Sequence, residues 1–178
     1  MVDLDYIVNP ITALLTAAGD VFILVLIVLY FIRRDVLAHA EAYILPALFV
    51  VALLGVVGSL FYSEILGYLP CDMCWWQRIF LYPQVIILGI TLWRFDKNVW
   101  MYTLALSLVG AAIALYQYLL QWGLAPSVGC PVGGAFDCSA KIVLGLGYVT
   151  IPMMALTGFV LMIILSLMYR TYRTSVSL

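Results

Sequence analysis

Four apolar runs, each about the length of a membrane crossing and nearly free of charge, decide what this chain can fold into: Ala42–Tyr62, Trp75–Trp93, Asn98–Gly123 and Tyr148–Tyr169. A hydrocarbon core of roughly 30 Å is crossed by about 20 helical residues. In lipid each run must be helical, because a lone strand would leave its backbone N–H and C=O groups unpaired. The expected fold is therefore an all-α integral membrane protein, a four-helix transmembrane bundle. Composition agrees, with 66% apolar and 10% charged residues, far from the balance of a soluble domain. The net charge of −1, with Lys and Arg at the ends of apolar runs, excludes a basic surface for nucleic acid.

A fifth apolar stretch, Ile11–Ile32, is interrupted by Asp20. Two readings compete: a full span with Asp20 turned to protein or water, or a shorter span that starts at Asp20 as N-cap after a surface segment. The N-cap preference of aspartate favours the second. Met1 to Pro10 carries Asp3 and Asp5, no base, and no cleavage pattern follows, so the segment is expected to stay on the mature protein. The chain reads as one membrane domain, with an additional N-terminal helix in residues 11–40 and a four-helix core in 41–178.

Positive charge sets the orientation, since Lys and Arg near span ends are retained in the cytoplasm. Arg33 and Arg34 follow the N-terminal stretch, Arg94 and Lys97 lie in the tight link between the second and third long spans, and Arg170 and Arg173 follow the last one. All three groups fall on one face, which is the expected cytoplasmic face and holds the C-terminus. Loops 65–74 and 124–147 then lie outside the cytoplasmic (inner) membrane. Those loops contain all four cysteines, Cys71, Cys74, Cys130 and Cys138. Disulfides persist outside the cytoplasm, so an even set confined to that face reads as redox pairs.

The first pair is Cys71-Asp-Met-Cys74, after Pro70 and at the start of the second long span. The thiolate is the reactive form of cysteine, and a helix N-terminus with a nearby cation favours it. Arg78, four residues beyond Cys74, lies one turn further along the same face. An arginine at that depth is costly unless it reaches headgroups or meets an anion, so it is a candidate to stabilise a Cys74 thiolate, with simple snorkelling as the alternative. The second pair, Cys130 and Cys138, is separated by seven residues that include Gly133-Gly134, which supply the backbone freedom to fold back. Alone it reads equally as a static staple; beside a CxxC on the same face it suggests a relay by thiol–disulfide exchange. A single zinc site is disfavoured by the wide spacing of the second pair.

The run from Tyr62-Ser63-Glu64 through Pro70-Cys71-Asp-Met-Cys74-Trp75-Trp76-Gln77-Arg78 to Tyr82-Pro83 resembles the CxxC region of the DsbB family of membrane thiol:quinone oxidoreductases, especially the short-loop branch called BdbC. Cys138-Ser139, followed by Gly147-Tyr148-Val-Thr-Ile-Pro152, is similar to that family's entry into its last span. The resemblance implies a quinone, ubiquinone or menaquinone, held near the outer surface beside the CxxC. It also implies that Cys130 forms a mixed disulfide with a DsbA-like thioredoxin-fold partner, that Cys138 resolves it and exchanges with Cys71, and that Cys74 faces the quinone with Arg78 polarising its oxygen. The extra N-terminal segment departs from the family's four-span pattern.

Glu64 is a candidate to conduct protons to the quinone, or else an interfacial carboxylate. Trp75 and Trp76 are candidates to flank the ring, with membrane anchoring as the plainer role. Tyr116 and Gln117, near the outer half of the third span, are candidates to reach the pocket, with helix packing as the first expectation. His39, the only histidine, cannot provide two axial haem ligands. A vitamin K epoxide reductase-like enzyme is the alternative that Cys-x7-Cys-Ser suggests, although in that family the loop pair precedes the CxxC. A membrane scaffold with two structural disulfides is the non-enzymatic alternative.

Overall fold

The computed structural model describes residues 4–32, 41–94, 96, 98–126, 138–141 and 143–176. Cys130, Gly133, Gly134, His39 and the basic residues Arg33, Arg34 and Lys97 lie outside the described residues. Five helices carry the described chain: α1 Leu4–Ile32, α2 Glu41–Leu60, α3 Asp72–Arg94, α4 Val99–Gln121 and α5 Ile151–Val176. A π turn, Phe61–Ile65, extends α2, and a two-stranded antiparallel hairpin of β1 Val143–Gly145 and β2 Val149–Thr150 leads into α5. Helices α1, α2, α4 and α5 are each long and apolar enough to cross a membrane. Helix α3 has similar length but carries more polar side chains, and it hides Gln77, Arg78, Gln84 and Thr91 from the surface.

The four core helices close a ring, because α2 packs on α3, α3 on α4, α4 on α5 and α5 back on α2, while α1 lies outside against α5. Leu48, Ala52, Leu88, Val99 and Met162 are fully buried where the four meet. Lipid removes the hydrophobic drive for helix association, so close packing and buried hydrogen bonds do that work. Gly110 on α4 shows the close approach: a Cβ there would meet the Phe159 ring of α5 at 2.4 Å. Further along the same helix the Ser107 hydroxyl donates to Gln84 (3.1 Å), and Thr103 and Ser166 share a hydrogen bond of 3.0 Å.

Connectivity places the ends of the ring. The segments between α2 and α3 and between α4 and α5 share one end and hold the cysteines, whereas the short α3–α4 link occupies the other. At the cysteine end α4 stops in a glycine cap. Gly123, at φ 69°, donates to Leu120 O, and Leu124 donates back to Leu119 O at 2.9 Å.

One expectation is corrected. Asp20 does not begin a shorter span: α1 runs without a break from Leu4 to Ile32, starting seven residues before Ile11 and passing through Pro10. The carboxylate has protein donors that make an N-cap role unnecessary, since Thr157 Oγ1 donates to Oδ1 (2.7 Å) and Tyr148 OH to Oδ2 (3.2 Å). At about 1.5 Å per residue, 29 residues exceed the length of a membrane crossing.

Candidate redox site

Pro70 ends the irregular approach to α3, and Cys71 takes the N-cap position, its carbonyl accepting the first helical bond from Trp75 N at 3.2 Å. Cys74 then stands in the first turn, where backbone N–H groups lack helical partners and the helix dipole favours negative charge. Both thiols are free, with the sulfurs 3.2 Å apart in a hydrogen bond. The Cys71 thiol, ahead of the helix, is held well above the ordinary cysteine range, first by that hydrogen bond with Cys74 and then by burial.

Helix α4 supplies the other half of the site. Gln117, 2% exposed, donates Nε2 to Cys71 Sγ at 3.1 Å and lies 3.6 Å from Cys74 Sγ. Its carbonyl accepts a 2.7 Å bond from Gln77 Nε2 of α3, which fixes the amide with its N–H groups toward the sulfurs. Of the two expectations for Gln117, helix packing and reach into the pocket, the structure adds the second as a direct contact with both thiols. The available signal was a glutamine pair in two otherwise apolar spans, since buried amides need partners. Gln117→Leu is expected to slow alkylation of the reduced pair by iodoacetamide about tenfold at neutral pH, the scale of a lost bond to a charged group. Mass-spectrometric alkylation kinetics check this.

Arg78 is buried, not snorkelling. Its Nε donates to Ser59 Oγ (2.9 Å) and its Nη2 to Ser59 O (3.1 Å), and its guanidinium lies 5.1 Å from the centre of the Trp75 ring. Ser59 on α2 thus anchors the cation beside the CxxC, a role for which sequence offered no signal. Trp75 is half exposed. Glu64 lies exposed in the π turn and accepts a hydrogen bond from Ser63. The Tyr116 hydroxyl donates to the Pro126 carbonyl. Trp76 faces an open apolar groove of about 400 Å³, lined also by Met73, Val109, Ala112, Ile113 and Tyr116. Helical spacing puts that groove on a different face of α3 from Cys74 and Arg78.

Cys138 is disulfide-bonded and 1% exposed. It forms one buried cluster with Cys71 and Leu120, against which Met73 and Cys74 pack. Nearby, Gln121 donates to Ala140 O at 3.0 Å, and the Lys141 ammonium sits over the Trp122 ring. The loop after Cys138 is therefore held to the end of α4, beside the CxxC. Sixty-four residues of sequence separate Cys74 from Cys138, and the fold brings them into one cluster. The arrangement can exchange disulfides between the two pairs, because an attacking sulfur and its target must come into contact.

The family model described as Disulfide bond formation protein DsbB matches residues 40–169. The Disulfide bond formation protein C of Bacillus subtilis is 42% identical over 120 residues, covering 67% of this chain and 87% of that protein. The Probable disulfide formation protein C of Halalkalibacterium halodurans is 42% identical over 117 residues, 66% of this chain and 85% of that one. The Probable disulfide formation protein of Chlamydia trachomatis serovar D is 40% identical over 121 residues, 68% and 87% of the two chains. No solved structure matches. The match sets aside both the vitamin K epoxide reductase-like reading and the inert scaffold. With its free CxxC at a helix start and a bonded loop cysteine against it, this multi-pass membrane chain belongs to the DsbB family of disulfide-forming oxidoreductases.

Proposed function

We propose that the protein reoxidises an extracytoplasmic thioredoxin-fold disulfide donor of the DsbA type and passes the electrons through its two cysteine pairs to a membrane quinone, ubiquinone or menaquinone. The observation that carries the reading is the free Cys71–Cys74 pair at the start of α3, with Arg78 buried one turn below and Cys138 in the same cluster. The cysteine end of the bundle faces outward in this reading, since Arg94 and Arg170 mark the opposite end.

The steps follow thiol–disulfide exchange. A donor thiolate attacks Cys130 of the loop disulfide, and the electron pair of the broken bond leaves on Cys138. The donor's second thiol then releases the oxidised donor. The Cys138 thiolate attacks Cys71 of an oxidised Cys71–Cys74 pair, forming a Cys138–Cys71 bond as Cys74 departs as a thiolate. Finally Cys130 attacks Cys138, restoring the loop disulfide and leaving two electrons on the CxxC.

The residues fit a quinone. Two of the five guanidinium donors of Arg78 bind Ser59, which holds the cation one helical turn from Cys74, and half-exposed Trp75 offers a flat apolar face. A bound quinone would supply the sink for two electrons and two protons as the CxxC disulfide is restored. Glu64, exposed at the same end, would carry the protons in this reading.

The test is to combine the purified chain with a reduced thioredoxin-fold donor and a quinone, and to follow quinone absorbance. Turnover is expected; its absence with both quinones and an otherwise competent donor would overturn the proposal. Arg78→Gln is expected to raise the half-saturating quinone concentration about tenfold, the scale of a lost charge-assisted hydrogen bond, while shifting the half-saturating donor concentration little.

A further inference from the structure

Helix α1 lies outside the segment that the family model matches, yet it touches both cysteine-bearing loops. Its outward residues, such as Leu14, Leu15, Val21 and Leu24, are more than half exposed, as a lipid-facing surface requires. The opposite stripe is polar or small: Asn9, Thr12, Ala13, Thr16 and Asp20, at a spacing that places them on one helical face. Polar side chains in an apolar helix mark protein contacts.

The stripe grips the segment that leads to Cys71. Thr12 Oγ1 and Tyr62 OH share a hydrogen bond of 2.7 Å, the Tyr62 hydroxyl lies 3.3 Å from Asn9 Oδ1, and Asn9 Nδ2 donates to Tyr68 OH at 3.4 Å. Tyr62 is 5% exposed, and its ring packs on that of Tyr68, three residues before Cys71. The same stripe grips the hairpin after Cys138. A Cβ on Gly145 would meet Ala13 Cβ at 2.9 Å, so the hairpin backbone lies directly on α1. Two turns further on, Asp20 accepts from Tyr148 of that hairpin and from Thr157 of α5. Both loops are thus fastened to one rigid helix within a few turns.

We propose that α1 is a strut that positions the Cys71 and Cys138 loops against each other through Thr12, Ala13 and Asp20, and so sets the rate of disulfide exchange between the two pairs. The inference rests on the relay described above. In the step it serves, the Cys138–Cys71 bond forms as the Cys71–Cys74 bond breaks, with the electron pair leaving on Cys74 and no outside oxidant required. These α1 residues touch no reacting sulfur and are positioning residues.

A cysteine trap tests the strut. In the full-length chain carrying Cys74→Ser and Cys130→Ser, diamide joins Cys71 to Cys138, and mass spectrometry of the linked peptides gives the rate. Tyr62→Phe, which deletes one hydroxyl and keeps the ring, is expected to slow trapping about fivefold, the scale of one or two hydrogen bonds. Ala13→Leu, which wedges the hairpin from α1, is expected to slow it more than about tenfold, as overpacking of a close contact does. Thr12→Ser and the lipid-facing Leu14→Ala are expected to keep the original rate. Thermal unfolding of the Tyr62→Phe chain accompanies the measurement, so that slowed trapping is read in a folded protein. Unchanged trapping in folded Tyr62→Phe, or a loss equalled by Leu14→Ala, would overturn the strut. Slowed trapping without a matching fall in donor-driven turnover in the chain with all four cysteines would uphold the strut and overturn the relay.

Discussion

Serine at position 74 is expected to reduce donor-driven quinone reduction to background, a loss on the order of a thousandfold or more, as removal of a reacting group gives. A hydroxyl forms no disulfide with Cys71 and is a poor nucleophile at neutral pH, so the pair can neither store two electrons nor release them. The substitution changes one atom at a half-buried site where the sulfur bonds weakly to its neighbours, so the fold should survive it. Cys71 would remain beside Cys138 in the shared cluster, and a Cys71–Cys138 disulfide in the variant should form by exchange, the Cys71 thiolate attacking Cys138 of the loop disulfide as Cys130 leaves as a thiolate, with no oxidant needed. Quinone absorbance and non-reducing peptide mapping check the two outcomes. Undiminished turnover would remove Cys74 from the chemistry.

Cys138→Ser should separate the two halves of the reaction. Oxidation of the thioredoxin-fold donor is expected to fall by a similar order, on the order of a thousandfold, because no sulfur remains to carry the disulfide from Cys71 to the loop. A small dithiol such as dithiothreitol attacks the CxxC directly, so quinone reduction driven by it should persist. Cys138 is 1% exposed and disulfide-bonded, and its replacement also removes a cross-link; the dithiothreitol-driven rate serves as the control for folding. If the donor is oxidised as fast by this variant, electrons enter at Cys71 without the loop pair.

Much of the architecture could be read from residue order. Helices at 41–60, 72–94, 99–121 and 151–176 fall close to the apolar runs, because a segment in lipid has no other way to pair its backbone. The CxxC at the head of α3 was legible from Pro70 and the following apolar run. The pairing of Arg78 with Ser59 was not, since the face that a buried cation turns to depends on which helix packs there. The N-terminal helix was misread at Asp20 for a related reason. An aspartate in an apolar stretch suggests a cap when judged locally, and only Thr157 and Tyr148, more than 120 residues away, make it affordable within the helix.

Sequence by itself determined that this chain crosses a membrane as helices, that its cysteines share one end of the bundle, and that the CxxC begins a span. Each of these follows from local composition and from the cost of unpaired backbone in lipid. Tertiary structure alone decided that Gln117 meets both sulfurs, that Cys138 packs with Cys71, and that α1 turns its polar stripe to the two loops. Such contacts join faces of distant segments, and apolar periodicity tells which residues can be buried without telling which neighbour buries them.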